Sequence, residues 1–324
     1  MHGGDNTLDE YGFSLNKINI SNVEDIHRRQ SRLEELRIIE IQEMAYEAAQ
    51  ASLELYRQDM SVSEILTFFS ETISSPSISP HGNALNINLG RLTSFSSSQA
   101  ALDRSVFAEL YLEELRARLP RVTERDFLPE NDSPETFVYV KNALADEAYD
   151  VFAEGFSDPR VKYAPTLREA VKLVLGGEVT YCLLPLEESG GERLHAASEL
   201  IFKYDLKINS VTPVFGIDGT ADMKYSLVSK GFSIPSIYED DDLYLEIKVK
   251  CESTNTLSEL LLAAEHYGED IYRINSTVFN TEEGDEPYYS LVFRSKTGDF
   301  TKLLTYLTLF AGNYTPVGIY KNLE

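Results

Sequence analysis

The chain has 324 residues, 43% of them hydrophobic and 11% aromatic, which is too much for one ordinary core and enough to fill two or three. Its 53 acidic against 29 basic residues give a formal charge of −24, which repels phosphate backbones and anionic headgroups and excludes nucleic acid and membrane surfaces as partners. Cys182 and Cys251 have no metal-ligand spacing, the start Met1-His2-Gly3-Gly4-Asp5 lacks a signal-peptide pattern, and no stretch approaches the ~20 apolar residues of a membrane span, so a soluble, cytoplasmic protein is expected.

From Asn22 to Gln58 there is no Gly or Pro, and Glu, Arg, Leu, Ile, Gln and Ala dominate, which predicts one long helix. Leu33, Leu36, Ile39, Met44, Ala48, Ala51 and Leu55 keep near-helical spacing and predict a packing stripe. A second helix is expected over Ser61–Ile73, opened by a capping box of Ser61 and Glu64. Serine and proline break the pattern over 74–98, and a third helix follows from Gln99 to Leu119, ended by Pro120.

From Thr136 short strands alternate with helices: strand Phe137–Val140, helix Ala143–Phe156, strand Val161–Ala164, helix Leu167–Leu175, strand Tyr181–Leu184, helix Leu194–Lys203, strand Ile208–Val214. This alternation predicts a mainly parallel sheet covered by helices. After the acidic turn Glu239-Asp240-Asp241-Asp242 the order becomes strand Leu243–Lys250, helix Leu257–Tyr267, strand Ile271–Phe279, strand Tyr288–Arg294, helix Phe300–Phe310, strand Thr315–Lys321. That is the ferredoxin-like βαββαβ order, with Asn280–Pro287 expected as its central turn.

Several segments here resemble a known family. Leu243–Lys250, Asn255-Thr256-Leu257-Ser258-Glu259-Leu260-Leu261, Ile271-Tyr272-Arg273-Ile274-Asn275-Ser276 and Val317-Gly318-Ile319-Tyr320 resemble the ACT domain that follows prephenate dehydratase. Upstream, Pro185-Leu186-Glu187-Glu188-Ser189 resembles the dehydratase signature Pro-Ile-Glu-Asn-Ser, with Glu188 where the family has asparagine. The family's catalytic Thr-Arg-Phe would fall at Met223-Lys224-Tyr225, and lysine cannot reproduce arginine's bidentate grip on a carboxylate. The family's second lobe would have to fit between Val214 and Met223, where Phe215–Asp222 is too short to fold as one.

The resemblance implies an α+β multidomain chain: a helical region over 1–130, a single α/β lobe of periplasmic-binding type over 136–232, and a ferredoxin-like ACT domain over 240–324. It implies a non-catalytic regulatory or amino-acid-binding protein, with Glu187, Glu188, Ser189, Lys224 and Tyr225 as relic positions. The expected ligand contacts are Asn255, Thr256, Leu257, Asn275 and Ser276, the places of the family's phenylalanine pocket, where Asn255 replaces a glycine that lets an amino acid approach. The relic site is expected to be a shallow, solvated, anionic face with Glu187 and Lys224 near each other. The alternative is an enzyme of aromatic amino-acid biosynthesis, either a divergent prephenate dehydratase or a chorismate mutase carried by the N-terminal helices, whose Leu33-Glu34-Glu35-Leu36-Arg37 faintly resembles that domain.

No other pattern proposes a reaction. The five histidines, at 2, 27, 81, 195 and 266, are scattered, so no metal and no cofactor is expected. Gly176-Gly177 and Gly190-Gly191 read as turns, Cys182 as a small buried hydrophobe, and Asp240–Asp242 as a solvated turn. Exposed sheet edges and the stripe on the long helix predict a homodimer, with an amino-acid effector as the one small-molecule partner.

Overall fold

The computed structural model describes residues 20–74, 97–119, 122–128, 130, 135–188, 191–216, 222–233, 242–250, 254–281, 284–312 and 314–323. Three helices come first: α1 (Ile20–Tyr56), α2 (Val62–Ser74) and α3 (Ser97–Arg118). The expected capping box opens α2, where Glu64 Oε2 accepts from the Ser61 backbone N–H at 2.8 Å and Ser61 Oγ accepts from Glu64 N–H at 3.3 Å. Most of the 74–98 stretch read as broken lies outside the described residues.

On α1 the stripe is only half as expected. Met44, Ala48 and Ala51 are buried with Phe69, Phe107 and Tyr111, whereas Leu33, Leu36 and Ile39 are exposed. The reason lies in the partner helices. Pairing of Arg37 with Asp103 and of Ser52 with Tyr111 shows α1 and α3 running in the same direction, and their shared core begins only at Ile41.

Next come β1 (Thr136–Tyr139), α4 (Ala143–Ala153), β2 (Arg160–Tyr163), α5 (Leu167–Leu175), β3 (Tyr181–Glu188), α6 (His195–Lys203), β4 (Lys207–Val214) and β5 (Met223–Ser229). Asn142 caps α4 by accepting from Ala145 N–H, and Thr166 caps α5 by accepting from Glu169 N–H. The expected mainly parallel sheet is corrected: β1 pairs parallel with β2 and β3, but β5 lies antiparallel between β3 and β4. A connection of only residues 215–222 joins β4 to β5, and so short a link returns the chain antiparallel.

The chain closes with β6 (Leu243–Lys250), α7 (Thr254–His266), β7 (Asp270–Thr281), β8 (Gly284–Ser295), α8 (Thr301–Phe310) and β9 (Tyr314–Tyr320). The strands are antiparallel in the order β9-β6-β8-β7. The broad turn expected over Asn280–Pro287 is corrected, because β7 and β8 stay paired through Phe279↔Glu286 to Thr281↔Gly284. Asp285 and Glu286 are strand residues of a longer hairpin.

Both strand-bearing stretches belong to one sheet of nine strands, β2-β1-β3-β5-β4-β9-β6-β8-β7. The join is β4 to β9, parallel at Ile208↔Gly318. Helices cover both faces. α4 packs on one face of β1, β3 and β5 through Phe137, Tyr139, Leu183 and Leu227, and α7 and α8 pack on β6 and β8 through Leu245, Ile247, Leu291 and Phe293. On the opposite face α5 and α6 share a core with Cys182, Leu184 and Ile208 from the first half of the sheet and Tyr244, Val292 and Tyr320 from the second. A cluster drawing on both halves requires the sheet to curl around these helices, an accumulation of ordinary strand twist. Among the described residues, no helix is long and apolar enough to cross a membrane.

Candidate functional site

The inner face of the curl carries a chain of buried charges. Glu187 ends the apolar run of β3 and is 4% exposed. Beyond it Gly191 adopts φ +77°, which costs a residue without Cβ little, and the chain reverses so that Arg193 bridges back to Glu187. Arg193 Nε lies 3.5 Å from Glu187 Oε1. Lys224, opposite Glu187 on β5, places Nζ 3.6 Å from Oε2. The closest partner comes from the far edge of the sheet: Arg273 on β7 donates through Nη1 to Oε1 and through Nη2 to Oε2, the latter at 3.2 Å.

Arg193 is itself held on its other side by Glu246 of β6, with Nη1 to Oε1 at 2.7 Å and Nη2 to Oε2 at 2.6 Å. Ser290 donates to Glu246 Oε1 at 3.0 Å and Tyr320 to Oε2 at 3.4 Å. Four donors on one carboxylate occupy its acceptor positions, which is what a 0% exposed charge requires. Burial works against ionisation of Glu187, but the hydrogen bond and charge of Arg273, with Arg193 and Lys224, outweigh it and hold this carboxyl below its usual range. Burial likewise opposes the charge on Arg193, and Glu246 reverses the balance.

Glu187 and Lys224 are therefore neighbours, as expected, but the face is not the shallow, solvated, anionic one. Three cations enclose Glu187, and the curl removes it from water. Glu188 is exposed, Ser189 lies outside the described residues, and Tyr225 is buried with its hydroxyl 3.4 Å from Asn142 Oδ1. Arg193, Arg273 and Glu246 escape a reading of the sequence. Glu246 occupies the polar phase of an alternating strand, Tyr244-Glu246-Lys248, which reads as solvent-facing.

The ligand residues named from the sequence do not all meet. Asn255, Thr256 and Leu257 form the first turns of α7 and not a turn preceding it; the side chains of Asn255 and Thr256 lie outside the described residues, and Leu257 packs against the α7–α8 core. Ser276 pairs with Tyr289, which packs on that same helix-bearing face, and Tyr289 pairs with Val249 near the end of β6. Ser276 and the start of α7 thus share one end and one face of the sheet. Asn275 pairs with Ser290 and so shares the opposite face, toward Glu246.

Cys182 is buried in the α5–α6 core, where burial pushes its thiol pKa up, away from nucleophilic use. Gly177 has φ +75°, in keeping with a turn. Among the described residues no three His, Cys, Asp or Glu side chains are grouped to hold a metal ion.

No protein-family model and no curated protein matches the chain. Solved structures similar to it include a prephenate dehydratase from Streptococcus mutans, at TM-score 0.48 and 16% identity over 59% of this chain and 100% of that one. A second is GqqA, described as a novel type of quorum-quenching acylase, at TM-score 0.43 and 13% identity over 58% of this chain and 96% of that one. A third is a prephenate dehydratase from Arthrobacter aurescens in complex with L-Phe, at TM-score 0.41 and 13% identity over 57% and 89%.

Proposed function

We propose that this chain is a non-catalytic regulatory protein, a single dehydratase-like lobe sealed against an ACT-type sheet that binds an amino acid, acting as a cytoplasmic homodimer. The clamp on Glu187 supports this reading. A dicarboxylate such as prephenate needs unpaired cations in a water-excluding cleft. Here the guanidinium of Arg273 is bound to Glu187, that of Arg193 to Glu246, and Lys224 lies against the same Glu187 carboxylate. The link between β4 and β5 leaves no second lobe to close over a substrate, and the exposed Glu188 adds negative charge at the rim.

The effector site proposed is the end of the sheet where α7 begins, with Asn255, Thr256, Leu257 and Ser276 as contacts and Asn275 on the reverse face of the same strand. The first turn of α7 presents backbone N–H groups that no intrahelical carbonyl reaches, and these suit a carboxylate. Thermal-shift measurement of the full chain against the amino acids tests this, since a ligand at 100 times its Kd adds about 2.7 kcal/mol to the stability of the state it binds. The expected result is a shift with one or a few amino acids that Thr256→Ala with Ser276→Ala removes. Turnover of prephenate or chorismate above the buffer rate would establish an enzyme of aromatic amino-acid biosynthesis and overturn the reading.

A further inference from the structure

The row of side chains just beyond Glu246 holds a cation with no carboxylate of its own. Lys248 follows Glu246 on the same face of β6, and it pairs with Ser290 on β8 and with Thr315 on β9. Ser290 pairs in turn with Asn275 on β7, so Thr315, Lys248, Ser290 and Asn275 stand side by side across four strands. Tyr244 and Glu246 behind this row are buried, whereas Lys248, Thr315 and Asn275 are half-buried. The row therefore lies at the mouth of the curl, where its inner face meets solvent.

Two aromatic rings flank the ammonium group. Lys248 Nζ lies 4.9 Å from the centre of the Tyr288 ring on β8 and 5.7 Å from that of the Phe202 ring on α6. The rings attract the charge and hold it in place, but they offer it no oxygen. Among the described residues Lys248 forms no ion pair: the carboxylate whose charge reaches it, that of Asp205, is held by Lys207 Nζ at 2.7 Å. Burial and the charge of Lys207 hold the Lys248 amine below the ordinary lysine pKa, a cost that an anion beside Nζ would offset. One turn back from Phe202 on the same side of α6, the buried Ser198 hydroxyl also has no hydrogen-bond partner among the described residues. We propose that the mouth of the curl is a second ligand site, which takes a small organic carboxylate with an apolar body. The carboxylate bonds to Lys248 Nζ, Thr315 and Asn275 supply neutral donors on either side, and the body lies along the Phe202 and Tyr288 rings. A net charge of −24 repels anions in general, so selection rests on this cation and its rings. The site lies on the face opposite the effector site of the preceding section and does not rest on it.

The test uses the full chain. Isothermal calorimetry with phenylacetate and hexanoate is expected to give saturable binding with Kd below about 10 mM, the range for ligands of this size. Acetate, which lacks the apolar body, and benzyl alcohol, which lacks the carboxylate, are expected to bind at least about ten-fold more weakly. Lys248→Gln is expected to weaken phenylacetate at least about ten-fold, the worth of one charge-assisted hydrogen bond, while Thr256→Ala with Ser276→Ala leaves it unchanged. A second measurement reads the location in the wild-type chain, whatever the folding of the variant. Saturating phenylacetate is expected to slow acetylation of Lys248 by acetic anhydride several-fold and to leave Lys203, exposed on α6, unchanged. No saturable binding of either acid, undiminished binding in Lys248→Gln, or an unchanged acetylation rate at Lys248 would overturn the proposal and leave the effector site standing. Loss of phenylacetate binding in Thr256→Ala with Ser276→Ala would overturn it too, by placing the acid at the effector site.

Discussion

Arg273 on β7 donates both arms of its guanidinium to Glu187 on β3, although six strand-to-strand steps separate those strands in the sheet order. In a flat sheet six steps span roughly 29 Å, beyond the reach of the two side chains together. The ion pair is therefore the seam at which a curled sheet closes on itself, with α6 enclosed and Arg193 relaying the contact to Glu246. A cleft at the end of β3 would need this seam to open.

Removing Arg273 leaves Glu187 buried with two more distant cations. Arg273→Ala is expected to cost about 2–4 kcal/mol, because breaking a buried pair strands the remaining charge. The double variant with Glu187→Gln should cost less than the sum of the singles by at least about 1 kcal/mol. Urea denaturation of the four proteins measures this, and additive losses would mean the pair is not energetically coupled.

The seam also predicts an acid limb. The pKa of Glu187 is lower in the folded chain than the ordinary 4.5, so its contribution is present above that value and is lost as pH falls through the folded pKa. Chemical denaturation between pH 6 and pH 3 should show a steeper loss of stability for the wild type than for Glu187→Gln.

Glu269 predicts the opposite sign. It is 7% exposed at the start of β7, and one carboxyl oxygen has no hydrogen-bond partner among the described residues. Burial raises its pKa, and Asp299 and Asp270 add to this against a hydrogen bond from Ser295, so that the value is pushed up to about 7. The acid form is favoured in the folded chain, and its stabilisation is complete below pH 4.5 and lost as pH rises through about 7. Glu269→Gln is expected to match the wild type near pH 5 and exceed it at pH 8 by up to about 3 kcal/mol. Denaturation curves at the two pH values decide it.

Gly318 marks the join between the halves of the sheet. A Cβ there would lie 2.8 Å from both Cβ and the carbonyl oxygen of Ile208, its partner across β4 and β9. Since one of those atoms is backbone, Gly318→Ala should force the strands apart and cost on the order of 2–4 kcal/mol. Hydrogen exchange is expected to rise at Val211 and Leu323, whose amides bond across this join. Unchanged exchange there would mean that the join accommodates the methyl group.

Local signals were sufficient for much of this protein. The Gly- and Pro-free run before Gln58, the Ser61 and Glu64 box, the strand Leu243–Lys250 and the βαββαβ order were all legible, because spacing and caps act over a few residues. The short link after Val214 was legible too, and it returns the chain antiparallel as β5. Tertiary structure alone decided the rest. Alternation assigns Glu246 to a polar face but cannot say that the sheet curls to bury that face beneath α6. The sequence spacing of Glu187 and Arg273 carries no sign that twist summed over six steps makes them partners. Leu33 and Leu36 lie on the same helical stripe as Met44 and Ala48, and they differ in burial only because the helices that cover α1 begin their packing at Ile41.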